Sequence, residues 1–156
     1  MNLDVGEYQL RKPHWRLRNK LIADKLLEPN KSVLDLGGGA RNLLWYYKPS
    51  KYCNVDGMDM REVDKVLDLD GDWYDHVEGG WDYCVNSGIL EYLKNVPLFL
   101  EQQKPFAKEH IFSWWPGNPI FGRQKQPWFV SILEQNYEIL DSEVWGEQCV
   151  YKCRPK

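Results

Sequence analysis

The sequence predicts an α/β fold: a doubly wound sheet of about seven strands, parallel except for a last strand supplied by a C-terminal hairpin. Three observations carry this. Short apolar runs alternate with helical patterns or short crossovers, the order that builds a parallel sheet with helices on both faces. The first apolar run enters a triple glycine, "SVLDLGGGARNLLWYY" from Ser32, and leaves as a second apolar stretch. The chain closes on "YEILDSEVWGEQCVYKC", two strand-like runs joined at Gly146 with no room for a helix between them.

Taken in order, "RKPHWRLRNKLIADKLLEP" (Arg11 to Pro29) reads as a helix ended by Pro29, with Leu21, Ile22, Leu26 and Leu27 as its apolar positions. Lys and Arg crowd its first half, either as a solvated face or as a basic lid over an anionic ligand group. "SVLDLG" is a short buried strand, and "ARNLLWYY" starts a helix past the glycines. "KYCNVDG", "DKVLDLD" and "WDYCVNSGIL" are strands two to four, with connections too short for full helices. Asn95 caps a helix through "VPLFLEQQ", and Pro97 is tolerated in its first turn. "EHIFSWW" is the fifth strand and "QPWFVSILEQN" a helix before the hairpin.

The 156 residues suit one domain, 1–156, with an N-terminal helix or lid over 1–28 and a ligand-binding core over 32–156. A net charge of −3 provides no basic field for nucleic acid. No apolar run approaches the roughly 20 residues that span a bilayer. "MNLDVGEYQL" has acidic residues and no apolar segment of the kind a signal peptide needs. Cys53, Cys84, Cys149 and Cys153 show no C-x-x-C pair and no metal spacing with His. Reduced thiols in a cytoplasmic protein, and no metal, are expected. Aromatic residues make up 14% of the chain, with eight Trp, so part of them should line something other than the core.

In an open parallel sheet a ligand sits beyond the carboxyl ends of the strands, at the switch point. Gly37 and Gly39 can adopt backbone angles that other residues resist and let a ligand approach. Dinucleotide, nucleoside triphosphate and S-adenosylmethionine are the candidates. A dinucleotide fingerprint requires glycine where Asn42 stands, and a P-loop requires Gly-Lys-Ser/Thr, which "GARN" does not supply. Downstream, Asp56 ends the second strand, where a carboxylate can accept from both ribose hydroxyls. Asp68 ends the third, where one can meet an adenine amino group.

This ordered set resembles class I S-adenosylmethionine-dependent methyltransferases, which have a Rossmann-like fold. "VLDLGGGARNL" looks like their first motif, "YCNVD" and "KVLDLD" like the acid-ended second and third strands, and "WDYCVNSGILEYL" like the fourth strand with its "vLEHl" turn. "LEQQKPFAKEHIFS" and the terminal hairpin follow the same pattern, so the resemblance runs from Val33 to Cys153. It implies that S-adenosylmethionine is the cofactor and S-adenosylhomocysteine the product. Asp35, Gly37, Gly38 and Gly39 would approach the methionine part, and Asp56 would bind the ribose, with Asp59 as the fallback. Asp68 and Leu69 would bracket the adenine, and Asn86 and Ser87 would line the wall beside the sulfonium. Arg41 departs from the family pattern; it either pairs with the cofactor carboxylate or points to solvent.

Methyl transfer is an in-line displacement, to which an enzyme contributes alignment and exclusion of water. A base is needed only when the acceptor must lose a proton. The resemblance therefore implies the reaction but not the acceptor. Tyr92 stands where many small-molecule relatives have His, and "NSGI" replaces the tetrad of nucleic-acid and glutamine amide methyltransferases. A small-molecule acceptor is expected, with His14 and Tyr92 as candidate catalytic residues. Tyr8 to Arg18 is expected to form a lid, with Tyr8 and Trp15 facing the acceptor beside Trp114 and Trp115. Arg11, Arg16 and Arg18 of that segment would meet the cofactor carboxylate. A binding or regulatory module that keeps the fold and works with a partner protein is the competing reading. A dinucleotide oxidoreductase is disfavoured by Asn42 and the hairpin.

Overall fold

The computed structural model describes residues 13–116 and 125–156. It contains a seven-stranded sheet in the order β3-β2-β1-β4-β5-β7-β6. Strands β1 (Ser32–Leu36), β2 (Lys51–Asp56), β3 (Lys65–Val66), β4 (Trp81–Asn86) and β5 (Ala107–Trp114) run parallel. β6 (Tyr137–Trp145) and β7 (Gln148–Pro155) form the hairpin, and β7 inserts antiparallel between β5 and β6. Gly146 makes the hairpin turn at φ +59°, a value glycine adopts without strain.

Alternation along the strands divides the core into two layers. One face of the sheet presents Val33, Val85, Ile111 and Val150 to Ile22 of helix α1 (Pro13–Lys25) and to Leu26 just past its end. The opposite face presents Leu34, Leu36, Cys84, Phe112 and Cys153 to helices α2 (Val96–Gln103) and α3 (Gln126–Asn136). Helix α2 begins as its sequence dictates: Asn95 Oδ1 accepts the Leu98 N–H at 3.1 Å, and Pro97 sits in the first turn. Trp73, in a 3₁₀ turn between β3 and β4, is fully buried against Phe99 and Phe106.

Two expected elements are shorter than the sequence suggests. The helix predicted past the glycines is a single 3₁₀ turn, Asn42–Trp45. Arg41 enters it at φ 59°, and Pro49 closes the connection before β2, so a longer helix has no chain to use. One turn is enough to bury Leu43 under α1, while Tyr47 fills the next position and donates from its hydroxyl to Glu28 O at 2.6 Å. β3 covers only Lys65 and Val66, with one further bond to β2 from the Leu67 N–H to Asp56 O at 3.0 Å, so Asp68 lies beyond the strand rather than at its end.

Candidate active site

The glycine turn is held from beneath by β2. Asp56 Oδ2 accepts the Gly39 N–H at 3.0 Å, and its Oδ1 accepts the Met58 N–H at 3.0 Å. Asn54 Nδ2 donates to Gly39 O at 2.8 Å. Gly37 and Gly39 have φ of +77° and +51°. A methyl group added at Gly38 would collide with the side chains of Asn54 and Asp35, and one at Gly37 would collide with Ile89. Packing within the protein therefore already requires glycine at these two positions.

Asp35 lies below this turn, 2% exposed, and accepts the Tyr52 hydroxyl at 2.6 Å. Burial dominates over that bond, with the Asp56 charge adding to it, and the Asp35 pKa is lifted from 3.8 to about 7. The folded state thus holds a proton that the unfolded chain releases at lower pH. The resulting stabilisation is full below the unfolded pKa and is lost as pH rises through about 7. Denaturant titrations from pH 4 to pH 8 are expected to show this decline, and Asp35→Asn to flatten it. An unchanged slope in the variant would assign the pH dependence to another group.

The other expected site residues are distributed as follows. Asp68 is exposed, its Oδ1 accepts the Asp70 N–H at 3.0 Å, and the Leu69 side chain is in the core. Asp59 is exposed in the loop after β2, while Asp56 is buried at the strand end. Asn86 is turned into the α2 layer, exchanging hydrogen bonds with Gln103 at 2.9 and 3.2 Å. Gln103 also meets His110 Nδ1 at 3.1 Å, and burial pushes that imidazole down to about 4, so it is neutral.

Arg41, expected either to pair with a cofactor carboxylate or to point to solvent, has protein partners. It donates to Glu62 O at 2.6 Å and pairs with Asp64 at 2.5 Å, tying the turn to the β2–β3 loop. Trp114 does not face a cleft; it is 2% exposed and stacks on Phe129 at 4.8 Å and 4°. Its register with Phe112 points it at α3. Trp115 is half-buried, with its indole N–H donated to Glu147 at 3.3 Å. Tyr92 is 48% exposed, and Trp15 is partly buried in the first turns of α1. His14 belongs to the first turn of α1 with its side chain outside the description, and Tyr8 lies outside the described residues altogether.

Arg18 corrects the lid expectation most directly. Instead of a surface cation it is a buried one, donating from Nε to Ser87 Oγ at 2.8 Å and from Nη1 to Gln148 Oε1 at 2.9 Å. Gly88, at φ +76°, leaves room for the guanidinium, which a methyl group there would strike. Ser113 Oγ accepts the Gly88 N–H at 2.7 Å, and buried Glu91 accepts the Trp115 N–H at 2.7 Å. A polar cluster thus joins α1 to the carboxyl ends of β4 and β5 and the start of β7. In "ILEYL" the expected site residue is Tyr92, whereas Glu91 beside it is the one buried in this cluster. The signal available was a Glu between apolar residues in a turn after a buried strand.

The sheet order, antiparallel last strand and glycine turn after β1 define the class I S-adenosylmethionine-dependent methyltransferase fold. Solved structures share it. A 1,6-didemethyltoxoflavin N1-methyltransferase from Burkholderia thailandensis superposes with a TM-score of 0.73 at 14% identity, over 97% of this chain and 82% of that one. A SAM-dependent methyltransferase from Thermotoga maritima gives 0.64 at 13% identity, over 97% and 98%. The magnesium protoporphyrin IX methyltransferase of Synechocystis PCC 6803 gives 0.62 at 14% identity, over 100% and 86%. No family model matches the sequence, and no curated protein matches it.

Proposed function

We propose that the chain binds S-adenosylmethionine across the carboxyl ends of β1, β2 and β4 and transfers its methyl group to a small molecule. The observation that carries this reading is the Gly37–Gly39 turn clamped by Asn54 and Asp56. It presents backbone beyond the carboxyl end of β1, where an open parallel sheet takes its ligand, and the compared structures of this fold include ones with bound S-adenosylhomocysteine or S-adenosylmethionine. The residues fit such a ligand. A carboxylate has about four lone-pair sites, and Asp56 spends two of its own on backbone N–H groups, leaving capacity for ribose hydroxyls. Asp68 keeps Oδ2 beside an exposed turn for an adenine amino group. Bound there, the cofactor would supply an activated methyl group. The protein's part is to fix the ribose, hold the glycine turn open and keep water from the reacting face. Free thiols at all four cysteines suit a reducing, cytoplasmic setting, and no helix among the described residues is long and apolar enough to cross a membrane.

Loss of a charged acceptor to ribose costs about 1.5–3 kcal/mol. Asp56→Ala is therefore expected to weaken S-adenosylhomocysteine binding about tenfold or more by calorimetry. Equal affinity in the variant would remove Asp56 from the site. A module that binds cofactor without turnover differs in a direct way: it would give no labelled product with any acceptor.

A further inference from the structure

Asn54 is fully buried on β2, directly across from Asp35 in the register of β1 and β2. Its Nδ2 donates to two carbonyls, Gly39 O at 2.8 Å and Glu62 O at 3.0 Å. Those two acceptors fix the amide, because a flipped one would set its oxygen against both carbonyls. Asn54 Oδ1 is thereby left buried with no hydrogen-bond partner. A methyl group at Gly38 would strike both this oxygen and Asp35 Oδ2, so the two share one small space beneath the turn. An ionised Asp35 would set acceptor against acceptor there, and a buried acceptor left unmet is costly.

The titratable and charged groups around Asp35 come from three sides. On β2, Tyr52 donates its hydroxyl to Asp35 Oδ2 at 2.6 Å, and Asp56 adds a like charge. On β4, the Cys84 thiol feels the Asp35 charge. From the glycine turn, the Arg41 guanidinium lies 5.9 Å over the Tyr52 ring but is committed to Asp64 and Glu62 O. Asp64 in turn accepts the Asn54 N–H at 2.8 Å.

On the cofactor-binding reading above, we infer that Asp35 is a positioning residue: as a neutral acid it donates from Oδ2 to Asn54 Oδ1, locking the amide that holds Gly39 O. Its Oδ2 accepts from Tyr52 at the same time, as a hydroxyl oxygen can. The bond completes an amide whose other end ties the glycine turn to β2 and to the β2–β3 loop. Cofactor then binds the protonated form better than the ionised one, and by linkage its binding takes up a proton. Burial, with Asp56 adding to it, keeps Asp35 protonated up to about 7 before a ligand arrives. An Asp35 that met the methionine ammonium as an anion would release a proton instead. The sign of the proton exchange separates the two roles.

Two measurements test this. In the ligand-free protein, the Asn54 side-chain amide signals in nitrogen–proton NMR spectra are expected to move with pH through about 7. They should stand still in Asp35→Asn, which supplies Asn54 Oδ1 with a permanent donor. Calorimetry is expected to show S-adenosylhomocysteine affinity falling about tenfold between about pH 6 and about pH 8.5. Runs near neutral pH in two buffers of different ionisation enthalpy should show net proton uptake. Asp35→Asn should match wild-type affinity in acid within about twofold, with no pH dependence and no uptake. Asp35→Leu, lacking a donor, should bind weakly at every pH. If Asp35→Asn fails to fold, the wild-type NMR titration and the sign of the proton exchange decide. Asn54 signals that ignore pH, affinity that rises with pH, or proton release on binding overturns the assignment. Asn54 signals that titrate in a protein that binds no S-adenosylhomocysteine would uphold the hydrogen bond and strike the cofactor reading instead.

Discussion

A chain ending at Asp141 is expected not to fold. The truncation removes β7, which pairs with β5 from His110↔Cys153 to Trp114↔Cys149 and with β6 along its whole length. It also removes Val150 from the α1 layer and Tyr151 and Cys153 from the α2–α3 layer, all three buried. Cavities left by large apolar side chains cost about 2–5 kcal/mol each, set against a typical total stability of about 5–15 kcal/mol. The exposed flank adds to the loss: β5 would become an edge strand carrying Ile111, Phe112 and Trp114, a template for aggregation. Circular dichroism and size-exclusion chromatography of the truncated chain check this. A monomeric, folded product that still binds S-adenosylhomocysteine would show that the hairpin is dispensable to the sheet.

Much of this architecture was legible because the features that specify it are local. Gly146 between two β-branched and aromatic runs makes a hairpin from a few residues, and Asn95 with Pro97 marks a helix start within one turn. The glycine turn and Asp56 were legible too, and the structure adds that Asp56 grips the Gly39 N–H. The misreadings arose where tertiary context decides. "ARNLLWYY" has apolar residues suited to a helix, but the short reach to Lys51 through Pro49 leaves it one 3₁₀ turn. Trp114 and Trp115 are both expected beside the acceptor, with at least one exposed, but strand alternation sends the first into the core against Phe129. Arg18 shows the widest gap. Its partners Ser87 and Gln148 lie 69 and 130 residues away, and nothing in a run of basic residues distinguishes the one that is buried.

That buried guanidinium yields the second large expected effect. Arg18→Met keeps much of the side-chain volume but removes the donors to Ser87 and Gln148 and the buried cation that attracts Glu91. Removing one member of a buried opposite-charge pair costs about 3–5 kcal/mol, because the other is left uncompensated. The cost should depend on pH. Without Arg18 the Glu91 carboxyl, already raised by burial, rises further above its unfolded value. The variant is then least impaired in acid, where Glu91 is protonated, and loses stability as pH climbs through the raised folded value. Glu91→Gln in the same chain removes the buried charge and should return part of the loss, abolishing that pH dependence. The remainder belongs to the unpaired Ser87 and Gln148 oxygens and would persist. Denaturant unfolding of both single variants and the double variant at acid and alkaline pH closes the cycle. Strictly additive losses at alkaline pH would mean that the two buried charges ignore each other, and the cluster joining α1 to β4 and β7 would then be held by its neutral hydrogen bonds alone.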